Sequence, residues 1–400
     1  MPLAAPAPTK RSFLLAALLG AAATPAAARS FVKAPAKPAP ATPTPVTAGP
    51  AGRAAFTAEE QARAVAAGIP EARFLADDPA AYRAALGAGA PITEDPWFVL
   101  SGGGENGAFG AGLLTGWTAA GTRPRFGVVT GISTGALIAP FAFAGPGWDA
   151  ALTEAYTTIS AADIFEFGAT PESLLDTWPL ARMIARQVTQ ALLVAVAAAH
   201  AEGRRLFVVT TNVDLGRPVA WNMGAIAAAG TPEALKLFRD VLLASASIPG
   251  VFPPVHVGVE SGGRALTEMH VDGGVTTPFF VAPEAVLAAG ERLPARRVYV
   301  VVNNVLTPEF QVAEKTTLTV LGRSLAAAVK AGTRAALLVH GAYASRTGLD
   351  LAVATIDGRF SDVASAPFDG PYMRRLFAHG ARVAREGSAF GATATRLASR

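Results

Sequence analysis

The stretches WFVLSGGGENG at residues 97–107 and FGVVTGISTG at residues 126–135 decide the fold of this chain. In each of them a short, apolar, β-rich run passes through glycines into a segment with helical composition. Such a run is the start of a β–α unit, and repeated β–α units build a mainly parallel sheet. Because the carboxyl ends of parallel strands meet at one edge of a sheet, we expect both glycine turns to lie at that edge.

The same alternation of short β-rich runs and longer helical segments continues along the chain. It predicts an α/β, three-layer fold with a mainly parallel central sheet and flanking helices. The predicted strands cover residues 97–101, 126–130, 205–212, 265–271 and 297–303. The predicted helices cover residues 106–120, 133–144, 173–201, 232–245, 312–342 and 371–386. The apolar run 191–199 is short, which favours a buried core helix over a membrane segment.

Residues 1–56 differ in composition from the rest and predict an exported protein, either periplasmic or secreted. Lys10 and Arg11 precede a short apolar run that ends in small residues, which is typical of a secretory signal peptide over residues 1–28. A twin-arginine signal and a disordered tail are the alternatives. Residues 29–56 are rich in proline and alanine and predict an extended linker. The predicted domain is 57–400, with its motifs at 97–280 and a C-terminal helical part at 312–400.

The charge of the chain is unevenly distributed. The formal net charge is +4, from 34 basic and 30 acidic residues. Residues 1–58 hold six of the basic residues and no acidic one, so the remainder has a net charge of −2. The body is therefore not basic, and nucleic acid is not expected as a partner. The chain has no cysteine, which excludes disulfides and a thiol nucleophile. No metal or cofactor is predicted.

The first glycine turn is suited to an anion. Backbone amides at a strand–glycine–helix junction point outward together, and the helix dipole adds partial positive charge. The anion is either a bound phosphate or the oxyanion of a reaction intermediate. Gly102-x-Gly104-x-x-Gly107 also matches the dinucleotide fingerprint, which requires an acidic residue about 20 positions further on. No Asp or Glu occurs between Asn106 and Trp148, which favours an oxyanion hole.

The second glycine turn has the pattern of a nucleophile elbow. Gly131-x-Ser133-x-Gly135 follows a strand and opens a helix, which is the context that this motif requires. A serine hydroxyl needs a base, and Asp272 is a candidate because it ends a predicted strand and precedes two glycines. A pocket that excludes water raises the proton affinity of such a carboxylate. An ordinary strand-ending turn is the alternative interpretation of Asp272.

Four blocks of sequence, in this order, resemble the patatin-like phospholipases. They are GGGENG at 102–107, GISTG at 131–135, ASASIPGVFPP at 244–254 and DGG at 272–274. The resemblance implies a patatin-like fold in which Ser133 and Asp272 form a Ser–Asp catalytic dyad. It also implies an oxyanion hole built from the four glycines Gly102, Gly103, Gly104 and Gly107.

The family resemblance further implies that a lipid or another acyl ester is hydrolysed through an acyl-enzyme, with transient contact to a membrane surface. The chain departs from the family pattern at two positions. Ser101 stands where the family usually has Asp, and Asn106 stands where it has Arg or Lys. The second departure removes a positive charge near the expected oxyanion.

Two other functions stay open. A Ser–His–Asp hydrolase would take its base from late in the chain, at His340 or His379, and His270 shares a strand face with Asp272. A non-catalytic exported binding module with the same fold is the second. Five apolar residues are candidates either for an acyl pocket or for core packing: Phe109, Leu113, Phe252, Phe279 and Phe280. The natural lipid and the oligomeric state are not predicted.

Overall fold

A computed structural model describes residues 53–87, 95–168, 172–307, 312–313 and 315–391. The predicted signal peptide, 1–28, lies outside the described residues, and so do residues 29–52 of the predicted linker. The last residues of that linker contact the domain: the Arg53 guanidinium pairs with the Asp214 carboxylate at 3.0 Å and donates to the Thr267 carbonyl at 2.8 Å. The chain is therefore anchored from Arg53 onward.

The described residues form a mixed sheet with helices packed against it. The strands are β1 (Val65–Ala66), β2 (Arg73–Leu75), β3 (Trp97–Leu100), β4 (Val128–Gly131), β5 (Glu166–Phe167), β6 (Leu175–Asp176), β7 (Arg205–Asn212), β8 (Arg217–Asn222), β9 (Val255–Ser261), β10 (Arg264–Asp272), β11 (Arg297–Val305) and β12 (Asp350–Ile356). The helices are α1 (Ala58–Ala62), α2 (Pro79–Gly87), α3 (Gly107–Ala119), α4 (Thr134–Ala144), α5 (Asp149–Thr157), α6 (Trp178–Gln187), α7 (Gln190–Ala201), α8 (Met223–Ala229), α9 (Pro232–Ser245), α10 (Glu284–Ala289), α11 (Thr317–Thr347) and α12 (Gly370–Arg385).

The centre of the sheet is parallel, which confirms the predicted α/β fold class. Its main path runs β1-β9-β10-β7-β4-β3-β11-β12, and β7, β4, β3, β11 and β12 are parallel to one another. At the other end of this path, β10, β9 and β1 pair antiparallel with their neighbours, and so do β8 and β2, which pair off the main path. The pair β5–β6 forms a separate two-stranded ribbon.

The sheet separates two hydrophobic cores. Along β3, Phe98 and Leu100 belong to the larger core, whereas Trp97 and Val99 belong to the smaller one. All four side chains are fully buried. A strand that is apolar at every position requires cover on both faces, which explains the layers of helix on either side.

The strands β4 and β10 meet end to end along one edge of β7. β4 pairs with β7 up to Gly131↔Val208, and β10, running in the opposite direction, ends at Asp272↔Thr210. The other edge of β7 is occupied by β8. The carboxyl ends of β4 and β10 therefore face each other across a single residue of β7.

Two predicted helices differ from the structure. The segment 173–201 begins with the short strand β6 and then divides into α6 and α7, because the Thr189 side chain accepts the Leu192 amide and caps a new helix. The helix predicted at 312–342 begins instead at Thr317, where Thr316 caps it. In the described residues no single helix is long and apolar enough to cross a membrane; α6 and α7 meet that test only as a pair bent by 65°.

Candidate active site

The turn after β4 holds Ser133 in a strained backbone conformation. Its φ is 55° and its ψ is −127°, a combination that costs a residue with a Cβ about 1–3 kcal/mol. The flanking glycines permit the sharp turn, because a methyl group on Gly131 would lie 2.4 Å from the Gly135 carbonyl oxygen. Ser133 stands at the N-terminus of α4 and is 7% exposed. This is the backbone geometry of a nucleophile elbow.

Asp272, the last residue of β10, lies beside Ser133. Its carboxyl group interacts with the Ser133 hydroxyl, and its Oδ1 accepts the Gly274 amide at 2.7 Å. Burial raises the pKa of Asp272 to about 6, although both hydrogen bonds act in the opposite direction. A carboxylate whose pKa lies closer to neutrality is better able to take a proton from a hydroxyl group. The two residues predicted as a dyad are thus brought together.

The segment 244–254 fixes the backbone of both residues. The Ser245 hydroxyl accepts the Ser133 amide at 3.0 Å and donates to the Val209 carbonyl at 2.7 Å. Two residues later, the Ser247 carbonyl accepts the Asp272 amide at 2.8 Å. In the sequence, this segment stood out only as part of the family resemblance. Its small polar residues at the end of a helix were the available signal for a positioning role.

Two of the glycines predicted for the oxyanion hole, Gly102 and Gly107, pack against the elbow. A methyl group on Gly102 would lie 3.1 Å from the Ser133 Cβ, and one on Gly107 would lie 2.0 Å from the Thr134 Oγ1. The Gly102 amide points to the Pro278 carbonyl at 3.4 Å, and the Gly107 amide donates within its own turn. Their contribution in this structure is the close approach of the loop to Ser133.

The other two predicted glycines, Gly103 and Gly104, have amides that are able to donate. Neither amide has a hydrogen-bond acceptor among the residues that the structure describes. Gly104 has a φ of 57°, and a methyl group on Gly103 would lie 1.9 Å from the Asn303 carbonyl oxygen. A side chain is therefore excluded at Gly103, and the loop exposes two adjacent backbone donors.

Asn303 on β11 is a residue that the sequence analysis missed. It is fully buried; its Oδ1 accepts the Gly110 amide at 3.0 Å, and its Nδ2 donates to the Ser101 carbonyl at 2.9 Å. The Ser101 hydroxyl in turn accepts the Asn303 amide at 2.9 Å. These hydrogen bonds join the end of β3, the start of α3 and β11. Ser101, which replaces the Asp of the family pattern, takes part in this network.

The outer side of the glycine loop is tied to the C-terminal part of the chain. The Glu105 carboxylate accepts the Phe368 amide, and burial raises the pKa of Glu105. The Asn106 Oδ1 accepts the Tyr372 hydroxyl of α12 at 2.7 Å. The position where the family pattern has a cation therefore holds a neutral amide that contacts α12.

An apolar cavity of about 50 Å³ opens beside the elbow. Its lining includes Gly104, Thr134, Leu137, Met183, Ile184 and Phe368. A space of this size holds only a few water molecules, so an acyl chain fits only when side chains of this wall move. The five apolar residues proposed from the sequence are buried and do not line this cavity. Their burial supports the core-packing interpretation.

The histidines considered as bases have partners away from the elbow. His270 is fully buried between the Thr210 hydroxyl, 2.9 Å from Nδ1, and the Glu268 carboxylate, 3.0 Å from Nε2. The His340 Nδ1 lies 2.7 Å from the Ala336 carbonyl of its own helix. The His379 Nδ1 lies 3.1 Å from the Arg382 guanidinium.

Comparisons with known proteins find a family model and a solved structure that are similar to parts of this chain. A family model described as patatin-like phospholipase matches residues 98–283. Among solved structures, VipD from Legionella pneumophila is similar at 12% sequence identity and a TM-score of 0.32, covering 75% of this chain and 68% of that chain. The curated proteins contain no match to the chain. The span of the family match includes the elbow, the glycine loop and Asp272.

Proposed function

We propose that Ser133 is the nucleophile and Asp272 the base of a serine acyl-ester hydrolase. The match of residues 98–283 to the patatin-like phospholipase family supports a lipid acyl hydrolase. The observation that carries this proposal is the contact between the two side chains at the facing ends of β4 and β10. The strained backbone of Ser133 supports it, since such strain concentrates at functional positions.

In the proposed reaction, the ester carbonyl oxygen points to the amides of Gly103 and Gly104. Asp272 takes the proton of the Ser133 hydroxyl as its oxygen attacks the carbonyl carbon, and the two amides stabilise the oxyanion. The intermediate collapses, the alcohol leaves with the proton from Asp272, and an acyl-enzyme remains. Water then attacks the acyl-enzyme while Asp272 takes its proton, and Ser133 recovers that proton as the fatty acid is released.

The partners of the histidines favour the dyad over a triad. His340 and His379 bond to groups on their own helices, and His270 is enclosed by Thr210 and Glu268. We expect His340→Ala and His379→Ala to retain hydrolysis. If either change abolished turnover while Asp272→Asn left it intact, a histidine would be the base.

The test is hydrolysis of a chromogenic acyl ester and of a phospholipid by the wild type, Ser133→Ala and Asp272→Asn. Removal of either group should reduce kcat/KM by at least about a thousandfold, because the two residues act as a unit. A fluorophosphonate probe should label the wild type and leave Ser133→Ala unlabelled. Retained turnover in Ser133→Ala would contradict the assignment, and an unlabelled, inactive wild type would favour the non-catalytic binding module.

We also propose that the enzyme is exported, with cleavage after Ala28. The support is the order of basic, apolar and small residues at the N-terminus. Mass spectrometry of the protein recovered outside the cytoplasm should find Arg29 as its first residue. A full-length protein confined to the cytoplasm would contradict export.

A further inference from the structure

Three large apolar side chains are exposed close together in sequence, from β5 to the first residue of α6. Phe167 in β5 is 89% exposed, Leu174 is 40% exposed, and Trp178 at the start of α6 is 45% exposed. In the ribbon β5–β6, Phe167 pairs with Leu175, the neighbour of Leu174, so the backbones that carry Phe167 and Leu174 lie close together. Single exposed apolar residues are common, but a group of them at one place indicates an interaction surface. We call Phe167, Leu174 and Trp178 the apolar rim.

The apolar rim belongs to the same segment as the cavity wall. Ile164, Met183 and Ile184 line the cavity beside Ser133, and they flank the rim on both sides in sequence. The ring of Phe165 contacts Phe167 and also Phe368 of the cavity wall, with centroids 6.2 Å apart in both cases. The rim therefore continues the apolar lining of the cavity to the outer surface.

The chemistry of the rim fits the boundary between lipid headgroups and acyl chains. Trp is enriched at that boundary because its ring has an apolar body and one polar group. The Arg182 guanidinium lies 3.5 Å from the centroid of the Trp178 ring, which keeps its charge next to the apolar surface. Residues 164–187 carry three carboxylates and two guanidinium groups: Glu166, Glu172, Asp176, Arg182 and Arg186. With no positive excess, attraction to anionic lipid is not expected.

We propose that the apolar rim docks the protein on a zwitterionic lipid surface and so presents aggregated lipid, rather than dissolved monomers, to the cavity. Docking buries the apolar rim at the boundary between headgroups and acyl chains, and it brings the cavity wall next to the acyl chains. This inference depends on the proposed hydrolase activity only because that activity makes lipid the substrate. The binding step is independent of catalysis.

The test measures binding separately from hydrolysis. Ser133→Ala protein is sedimented with phosphatidylcholine vesicles, alone and combined with Phe167→Asp or Trp178→Ser. Each rim change should weaken vesicle binding about tenfold, because burial of one large apolar side chain contributes that much. Val194→Asp on α7 is the matched control, since Val194 is 61% exposed outside the rim and should not affect binding. Binding of the Ser133→Ala protein to the vesicles should change little with salt or with added anionic lipid.

Fluorescence and hydrolysis complete the test. Trp178 is the exposed one of the five tryptophans, so vesicles should shift the emission of Ser133→Ala to the blue, and Trp178→Ser should remove that shift. With Ser133 present, Phe167→Asp should hydrolyse a dissolved short-chain ester normally and vesicle lipid more slowly. Equal vesicle binding by rim and control variants would overturn the docking surface, as would a dimer that Phe167→Asp dissociates. Loss of ester hydrolysis in the wild type would instead overturn the proposed function.

Discussion

At the scale of single residues, the backbone at Ser133 departs from ordinary geometry. A φ of 55° with a ψ of −127° is open to glycine but unfavourable for a residue with a Cβ. The hydrogen bond from its amide to Ser245 and the packing of Gly102 hold it in place. These contacts therefore maintain the active-site geometry although the backbone of Ser133 by itself favours another conformation.

Ser133→Gly should be more stable than Ser133→Ala. Glycine releases a strain of about 1–3 kcal/mol and loses about 0.5–1 kcal/mol through the greater freedom of the unfolded chain, which leaves a gain of about 1 kcal/mol. Both variants lack the hydroxyl group, so the comparison isolates the backbone. Thermal unfolding of the two variants is the measurement, and equal midpoints would show that the turn is not strained.

The pKa of Asp272 predicts how activity and stability depend on pH. As a base it must be ionised, so kcat/KM should fall tenfold per unit as the pH drops below about 6. Because folding raises this pKa, the contribution of Asp272 to stability is greatest below 3.8 and is lost as the pH rises through about 6. Asp272→Asn should therefore raise the unfolding midpoint at neutral pH more than at acidic pH. An inflection of kcat/KM near 3.8 would contradict the burial of this carboxyl group.

At the scale of elements, the pairing of strands decides what the sequence could predict. Strands β3 and β4 and their glycine turns were predictable because each one is local: an apolar run, then glycines, then a helix. The antiparallel strands β8 and β9 were missed, although β9 alternates between buried and exposed residues. The meeting of β4 with β10 depends on their common neighbour β7, and no local pattern encodes it. Its place at a strand end before two glycines made Asp272 a candidate base, and the family resemblance, rather than any rule of spacing, paired it with Ser133 as a dyad.

Asn303 joins three elements beneath the glycine loop and should act as a positioning residue. Asn303→Leu keeps the volume but leaves the Ser101 carbonyl and the Gly110 amide buried without their partner, at about 1–3 kcal/mol each. Because the loop carries the proposed oxyanion donors, kcat should fall about tenfold or more with little change in KM. Asn304→Leu is the control, since Asn304 is only partly buried. A change confined to stability would assign Asn303 a purely structural role.

At the scale of the whole molecule, the C-terminal part of the chain is packed onto the elements that carry the motifs. Helix α12 crosses α3 with its backbone in close contact, because glycines occupy the crossing. A methyl group on Gly116 would lie 2.3 Å from the Ala381 carbonyl oxygen, and one on Gly380 would lie 2.3 Å from the Phe109 carbonyl oxygen. The end of the chain therefore supports the helix that begins at the glycine loop.

Gly116→Ala should destabilise the protein by about 1–3 kcal/mol, since the added methyl group forces two backbones apart. Gly322→Ala is the matched control within a helix, because a Cβ at Gly322 meets no atom within 4 Å. That change should stabilise the protein by about 0.5–1 kcal/mol. Denaturant unfolding of both variants is the measurement, and equal effects would show that α3 and α12 are not in close contact.

The end-to-end meeting of β4 and β10 along β7 also bears on how the protein acquires its activity during folding. The two strands are distant in the chain, and pairings of high sequence separation form slowly because the loop between them must first be closed. Helices such as α3 and α4 depend on local contacts and can form earlier. In a refolding experiment, circular dichroism should therefore recover before turnover does. Regained hydrolysis would then report completion of the last long-range pairing, rather than the compactness of the chain.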